Sequence, residues 1–415
     1  MRTRKTRAHN FRLVRMFVFV LLLVAAFSAG FTLRGNSELL AKWGFPESVT
    51  GISKADTSNQ KTADVYNSLS ARVAEVEGIL SNQSMDDYDL AEVTDVALNG
   101  FSTASSDPYL RYYSSDRYSA LLKASTANYS GVGVLFSEYN GQAYAVDVFD
   151  GSTAQLSGVE AGDFVVAVDG DRSQNWSMSE VAAALNREDG STVVVTWRRP
   201  DSLESQGGKE FTTTLTCHVY NVPNVTTSLD SNVGYISVKQ FTRNSSDMVS
   251  QAIDDLTNQG ATSLVLDLRD NPGGYLTQAL DIANLFMNSG SVVQIQTTSG
   301  ISVRTASGAT KTRLPVVVLV NGNTSSSAEV LAAALKESQR ATLVGTTTLG
   351  KGSVQVVQSL SFGGALRYTA AYYLTPQGHS IDKVGVTPNT EIAQSDSEDY
   401  QLSYAREIAR SMATS

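Results

Sequence analysis

A single cysteine, Cys217, and three histidines, His9, His218 and His379, are all that this chain of 415 residues offers to disulfide or imidazole chemistry. An intrachain disulfide and a cysteine metal cluster are therefore excluded, and a zinc site built on histidine has almost no ligands to draw on. Proline is scarce, 8 residues against 31 glycines, which rules out collagenous and proline-rich disordered chains. Basic charge is also short. Of the 32 Lys and Arg, six (Arg2, Arg4, Lys5, Arg7, Arg12 and Arg15) stand in the first 15 positions, which hold no acid; the other 26 face 41 Asp and Glu. A body this acidic lacks the surface needed to displace counterions from nucleic acid, so nucleic acid is not expected as a partner.

What is present is ordinary globular material: 42% hydrophobic and 18% charged residues, enough for a good core and two or three domains. Met16 to Leu33 is an uncharged run of 18 residues, just long enough to cross a bilayer as a helix. The basic residues before it belong on the cytoplasmic side, placing everything after Arg34 outside. The alternative is a signal peptide cleaved near Val24-Ala25-Ala26. Either reading exports the chain, as a single-pass protein of a bacterial cell membrane or as a secreted one.

Val65, Leu69, Val73, Val76 and Leu80 recur at helical spacing, predicting an amphipathic helix that packs on the body or on a second copy, and so invites a homodimer. Asp86–Ser125 reads as two or three helices broken at Ser106-Asp107-Pro108. Gly131–Asp171 alternates short strands with glycine turns, followed by a helix at Ser179–Asn186 and a strand at Ser191–Arg199. From Asn232 on, strands and helices alternate and the strands are wholly apolar, as in "PVVVLV". This rhythm predicts an α/β layer with a buried, largely parallel sheet. The last 20 residues read as a polar helical tail without evident chemistry.

The chemistry concentrates in "NGNTSSSAEVLAAALKES" and "GTTTLGKGSVQ". Ser325, Ser326 and Ser327 follow an apolar strand and open a helix, where free N–H groups can stabilise an oxyanion. Serine also caps helices, and Glu329 three residues after Ser326 matches a capping box; capping and catalysis are compatible. A serine nucleophile needs a base. Neither His218 nor His379 sits in a recognisable triad motif. Lys351, flanked by Gly350 and Gly352 among apolar strands, is the other candidate, since burial can leave a lysine neutral and basic. The plain alternative is an exposed lysine in a glycine turn.

Together these stretches resemble the signature of the C-terminal processing peptidases, Ser/Lys serine endopeptidases carrying a PDZ domain. The resemblance runs from about Asp86 to Glu391. It implies Ser326 as nucleophile, three residues before Glu329; Lys351 as general base, 25 residues on; and Gln355, four further, orienting the lysine. "LDLRDNPGG" resembles the loop whose glycine N–H, from Gly273 or Gly274, completes an oxyanion hole with the N–H of Ser327. In a flat strand, residues four apart are separated by roughly 13 Å. Either Gly352 bends the chain, or Lys351 and Gln355 meet only in an active conformation.

The implied fold is an α/β (α+β) multidomain protein with a crotonase-like protease core. Its divisions are a basic tail (1–15), the membrane segment (16–33), a linker with the amphipathic helix (34–82), a helical segment (83–125), a PDZ-like β-domain (126–218), the protease core (219–395) and the tail (396–415). In the PDZ-like part, Ser130, Gly131, Val132, Gly133 and Val134 correspond to the loop that captures a C-terminal carboxylate while the peptide adds to a sheet edge. Protein substrates with apolar C-termini are implied, and neither metal nor organic cofactor. The rival is a catalytically silent PDZ scaffold, which loss of the serine, lysine or glutamine would have favoured.

Overall fold

The computed structural model describes residues 68–124, 131–173, 175–395 and 398–414. The chain divides into two compact units, Met1–Tyr88 and Asp89–Ser415. In the first, helix α1 (Leu69–Gln83) is capped by the Ser68 hydroxyl, which accepts the Ala71 N–H, and Leu69, Val73, Val76 and Leu80 are all exposed. The predicted helix was to start at Val65, outside the described residues, as is the apolar run 16–33. Among the described residues no helix is long and apolar enough to cross a membrane.

The second unit opens with α2 (Leu90–Ala104), β1 (Arg111–Tyr113) and α3 (Ser115–Ala124). The expectation of helices alone here is corrected: Pro108 stops the helical run, and the strand-forming Tyr112 and Tyr113 pair antiparallel with a later strand, Tyr113 wholly buried. Next comes an antiparallel sheet in the order β2 (Val134–Tyr139), β3 (Gln142–Val148), β4 (Phe164–Val168), β5 (Thr192–Arg199), β6 (Lys209–Thr216). Helices α4 (Thr153–Leu156) and α5 (Met178–Leu185) close it. Its core holds Val132, Phe136, Val181 and Leu185 around Trp197, whose ring stacks on Phe136 at 6.2 Å.

The remaining chain runs β7 (Val225–Asp230), β8 (Val233–Val238), α6 (Ser245–Asn258), β9 (Ser263–Asp267), α7 (Leu276–Phe286), β10 (Ser291–Thr297), β11 (Gly300–Thr305) and β12 (Val316–Val320). It continues through α8 (Ser327–Glu337), β13 (Ala341–Gly345), β14 (Ser353–Ser359), β15 (Ala365–Leu374), β16 (Thr390–Glu391) and α9 (Tyr400–Ala413). Six strands form a sheet in the order β16-β13-β12-β9-β8-β7, parallel except at the β7–β8 hairpin. Every residue of β9 and β12 is buried, because both faces are covered. Val316, Val318 and Val320 pack toward α6, α7 and α8, while Val317 and Leu319 pack against Ala405 and Ala409 of α9. The tail, read as polar and helical without evident chemistry, is a helix that covers the second face of the sheet. A third sheet, β1-β15-β10-β11 with β14 along β15, joins the opening segment to the turn that carries Lys351.

Candidate active site

The loops leaving the carboxyl ends of β9 and β12 lie side by side, where open α/β sheets place their ligands. They are sewn together by polar side chains. Asn321 Oδ1 accepts the Asp270 N–H at 3.0 Å, and the side-chain amides of Asn321 and Asn323 both donate to Asp270 Oδ1 at 2.9 Å. Thr324 donates its hydroxyl to the Leu268 carbonyl, and Ser325 its N–H to the Asn271 carbonyl. The chain then turns sharply at Ser326, with φ 57° and ψ −124°, a conformation costly for any residue with a Cβ. Of the three serines, Ser325 and Ser327 are 0% and 1% exposed; Ser326 is half-buried, so its hydroxyl is the one within reach of a substrate.

Glu329, one turn into α8, has no exposed surface, yet gathers four donors. Oε2 accepts the N–H of Ser326 and of Lys351, each at 2.8 Å; Oε1 accepts the Gly350 N–H at 2.7 Å and the Thr348 hydroxyl at 2.5 Å. One carboxylate therefore fastens the serine turn to the glycine–lysine–glycine turn. Burial pushes its pKa up to about 7, although all four donors work to lower it.

The Lys351 side chain is not hydrogen-bonded to Ser326. Its ammonium lies 3.1 Å from Glu138 Oε2, on β2 of the antiparallel sheet, and 5.6 Å above the Tyr109 ring. Arg367 of β15 grips the same carboxylate at 2.9 and 2.8 Å. Burial alone would raise the Glu138 carboxyl, but Lys351 and then Arg367 outweigh it and hold it down at about 2. Beside this pair, Ser137 Oγ and Ser325 Oγ stand 3.4 Å apart, and the Tyr144 hydroxyl reaches Asn323 Oδ1 at 3.2 Å. An open cleft of about 1020 Å³ leads in past Tyr109, Glu138, Lys351 and Tyr372.

Gln355 is not on Lys351 in this structure. It lies on β14 and donates to Thr369 Oγ1 at 3.4 Å, while Asp107 accepts both the N–H and the hydroxyl of Thr369. Gly273 presses against the serine turn: an added Cβ would come within 3.0 Å of the Ser326 Cβ. Its N–H is already given to Asn271 Oδ1 at 2.8 Å, whereas those of Gly274 and Ser327 have no partner among the described residues. His379 faces Glu337 at 3.5 Å and His218 faces Asp189 at 3.0 Å, and neither is bonded to Ser326. In the antiparallel sheet, Gly131 forms a bridge with His218, and the N–H groups of Val132 and Gly133 are without a partner among the described residues. Ser130 lies outside the described residues.

Sequence reasoning missed Glu138 and Arg367. A signal for Glu138 was there: in "VLFSEYNG" it shares the inward phase of the strand with Val134 and Phe136, an odd place for an acid.

The profile of peptidase family S41 matches residues 232–392. The chain is similar to the carboxy-terminal processing protease CtpA of Bacillus subtilis, 30% identical over 92% of this chain and 77% of the relative. It is 35% identical to the carboxyl-terminal-processing protease of Synechocystis over 73% of this chain and 72% of the relative. Among solved structures, the photosystem II D1 C-terminal processing protease superposes with a TM-score of 0.63 at 30% identity, over 77% of this chain and 86% of that one.

All four hydrogen bonds to Glu329 are donated to it, and two carboxylate oxygens can accept them all. Replacing it with glutamine turns an amide N–H toward N–H groups, so Glu329→Gln should fold yet lose at least tenfold in activity. A folded pKa raised from 4.5 to about 7 favours the fold fully below pH 4.5, and that contribution is lost as pH rises through 7. Wild-type stability relative to Glu329→Gln should therefore decline between pH 4.5 and 7 and level off above. Chemical denaturation across that range checks it; a pH-independent difference contradicts the burial of a titrating carboxyl.

Proposed function

Because the chain belongs to peptidase family S41, with the carboxyl-terminal processing proteases, we propose that it cleaves exported proteins near apolar C-termini, with Ser326 as nucleophile and Lys351 as general base. It is a serine-type peptidase acting on proteins. The observation that carries the residue assignment is the single carboxylate of Glu329, which joins the strained, half-exposed Ser326 to the backbone of Lys351.

The lysine amine takes the Ser326 proton, and the alkoxide attacks the scissile carbonyl. The N–H of Ser327, with that of Gly273 or Gly274, holds the oxyanion. The Gly274 N–H, without a partner among the described residues, favours that glycine; release of Gly273 by Asn271 on substrate entry would favour the other. The lysine then protonates the leaving amine, and water, activated by the same amine, hydrolyses the acyl-enzyme. Gln355 orients the lysine once the two approach.

Residues 126–218 are read as a PDZ-like domain that adds the substrate's C-terminus as a strand, its carboxylate at the loop from Ser130 to Val134. The N–H groups of Val132 and Gly133, without a partner among the described residues, suit that task. Residues 16–33 would anchor the enzyme in the bacterial membrane with its catalytic part outside. The observed arrangement is a resting one, since an ammonium held by Glu138 has no lone pair to offer Ser326. Turnover then begins with the antiparallel sheet moving off the serine turn.

Two experiments test this reading. An unfolded protein with an apolar tail, supplied as free acid and as amide, should be cut by the wild type, faster as acid, and not by Ser326→Ala or Lys351→Ala. Cleavage by Lys351→Ala at the wild-type rate would assign the base elsewhere, and equal rates on acid and amide would remove the carboxylate from recognition. Second, Ser137→Cys with Ser325→Cys places two thiols where the hydroxyls stand 3.4 Å apart. The oxidised double variant should be inactive and recover with reductant. An oxidised form as active as the reduced one means that the sheet need not move.

A further inference from the structure

We infer that Asp399, far along the chain from the serine and lysine turns, is a positioning residue that sets the Gly273–Gly274 loop through Arg269. Asp399 caps α9, its Oδ1 accepting the Leu402 N–H at 3.0 Å. The same carboxylate meets the Arg269 guanidinium in a two-pronged contact, Nη1 to Oδ1 and Nη2 to Oδ2, both 2.8 Å. On its other side Arg269 is held by Asp267, the last residue of β9, with Nη2 to Oδ2 at 2.6 Å and Nε to both oxygens at 3.0 Å. The Tyr235 hydroxyl donates to that Asp267 at 2.8 Å, and Gln401 adds a contact to Arg269 at 3.2 Å.

The placement gives this clamp its consequence. Arg269 begins the loop that continues through Asp270, at φ 57°, to Gly273 and Gly274. Toward the serine, that loop is fastened by Asn321, Asn323, Thr324 and Ser325. Its middle is tied to the neighbouring chain, Asn271 donating to the Val238 carbonyl and Phe241 donating its N–H to the Gly273 carbonyl, both at 2.8 Å; toward α9 the fastening among the described residues is Arg269, and that helix is packed on Val317 and Leu319 of β12, the strand that leads to Ser326. Without Asp399 the guanidinium keeps Asp267 and one contact to Gln401, and its charged hold on the start of α9 is gone. With Asp399 opposite, its plane is fixed, and so is the height of the loop against the serine turn. Oxyanion donors act at hydrogen-bond range, so a displacement near 1 Å is costly to the chemical step and not to substrate capture.

This inference rests on the role proposed above for that loop. Asp399→Asn is the informative variant. Asparagine caps a helix as well as aspartate does, so α9 stays folded while the charged two-pronged contact is lost. The control is Asp230→Asn, which loosens the far end of α9 by weakening the pairs with Arg406 and Arg410 at 3.5 and 3.1 Å. The full chain is assayed on the unfolded substrate with a free-acid tail.

Asp399→Asn should lower kcat by about tenfold, with KM within twofold and Tm within a few degrees of wild type, and Asp399→Glu should restore part of the loss. Asp230→Asn should leave kcat unchanged. An Asp399→Asn enzyme with wild-type kcat overturns the inference, as does an equal fall of kcat in Asp230→Asn, which would make α9 a general stabiliser. Failure of the serine assignment shows separately, as cleavage that survives Ser326→Ala.

Discussion

One carboxylate with no exposed surface, that of Glu329, ties together the parts of this active site. Ser326, the proposed nucleophile, stands on a turn that its own backbone disfavours, and Lys351, the proposed base, on a turn of two glycines. Neither turn is regular secondary structure, so neither is fixed by a ladder of hydrogen bonds. Glu329 supplies the missing order by accepting an N–H from Ser326 and the N–H groups of Gly350 and Lys351. Its own position is secured by α8, whose residues from Ser327 to Leu335 are all buried. The cost is a buried charge, visible in its raised pKa. The glutamate of an ordinary capping box would sit at the surface; here the same motif serves as an internal fastener.

The backbone of Lys351 is thus fixed while its side chain remains free to choose a partner. In this structure that partner is Glu138, shared with Arg367, so three charged groups from two sheets meet at one buried point. Breaking such a contact leaves uncompensated charge unless something replaces it. This contact couples the antiparallel sheet to the Lys351 turn by electrostatics, and under the proposed function a substrate tail bound to that sheet would act on it.

Much of this was legible in the sequence. The apolar runs of β9 and β12 announce strands buried on both faces, and three serines before a helix followed by a lysine between glycines mark the two turns that Glu329 joins. What was not legible depends on contacts between distant segments. Arg111–Tyr113 joins a sheet completed by Ala365–Leu374, a pairing across some 250 residues that local pattern cannot reveal. The tail looked polar because only a narrow stripe of α9, Ala405 and Ala409, is fully apolar and buried, and alanine gives a faint periodic signal. Glu138 read as one more acid in an acidic chain, because its two partners lie 213 and 229 residues away.

The most direct test of the central claim is to map the residue phosphonylated by a serine-directed fluorophosphonate, which loses fluoride to the attacking hydroxyl, and to follow the rate in wild type and Lys351→Ala. The account predicts one modified residue, Ser326, with a rate that collapses in Lys351→Ala. Modification of any other residue, or an unchanged rate without the lysine, would contradict it.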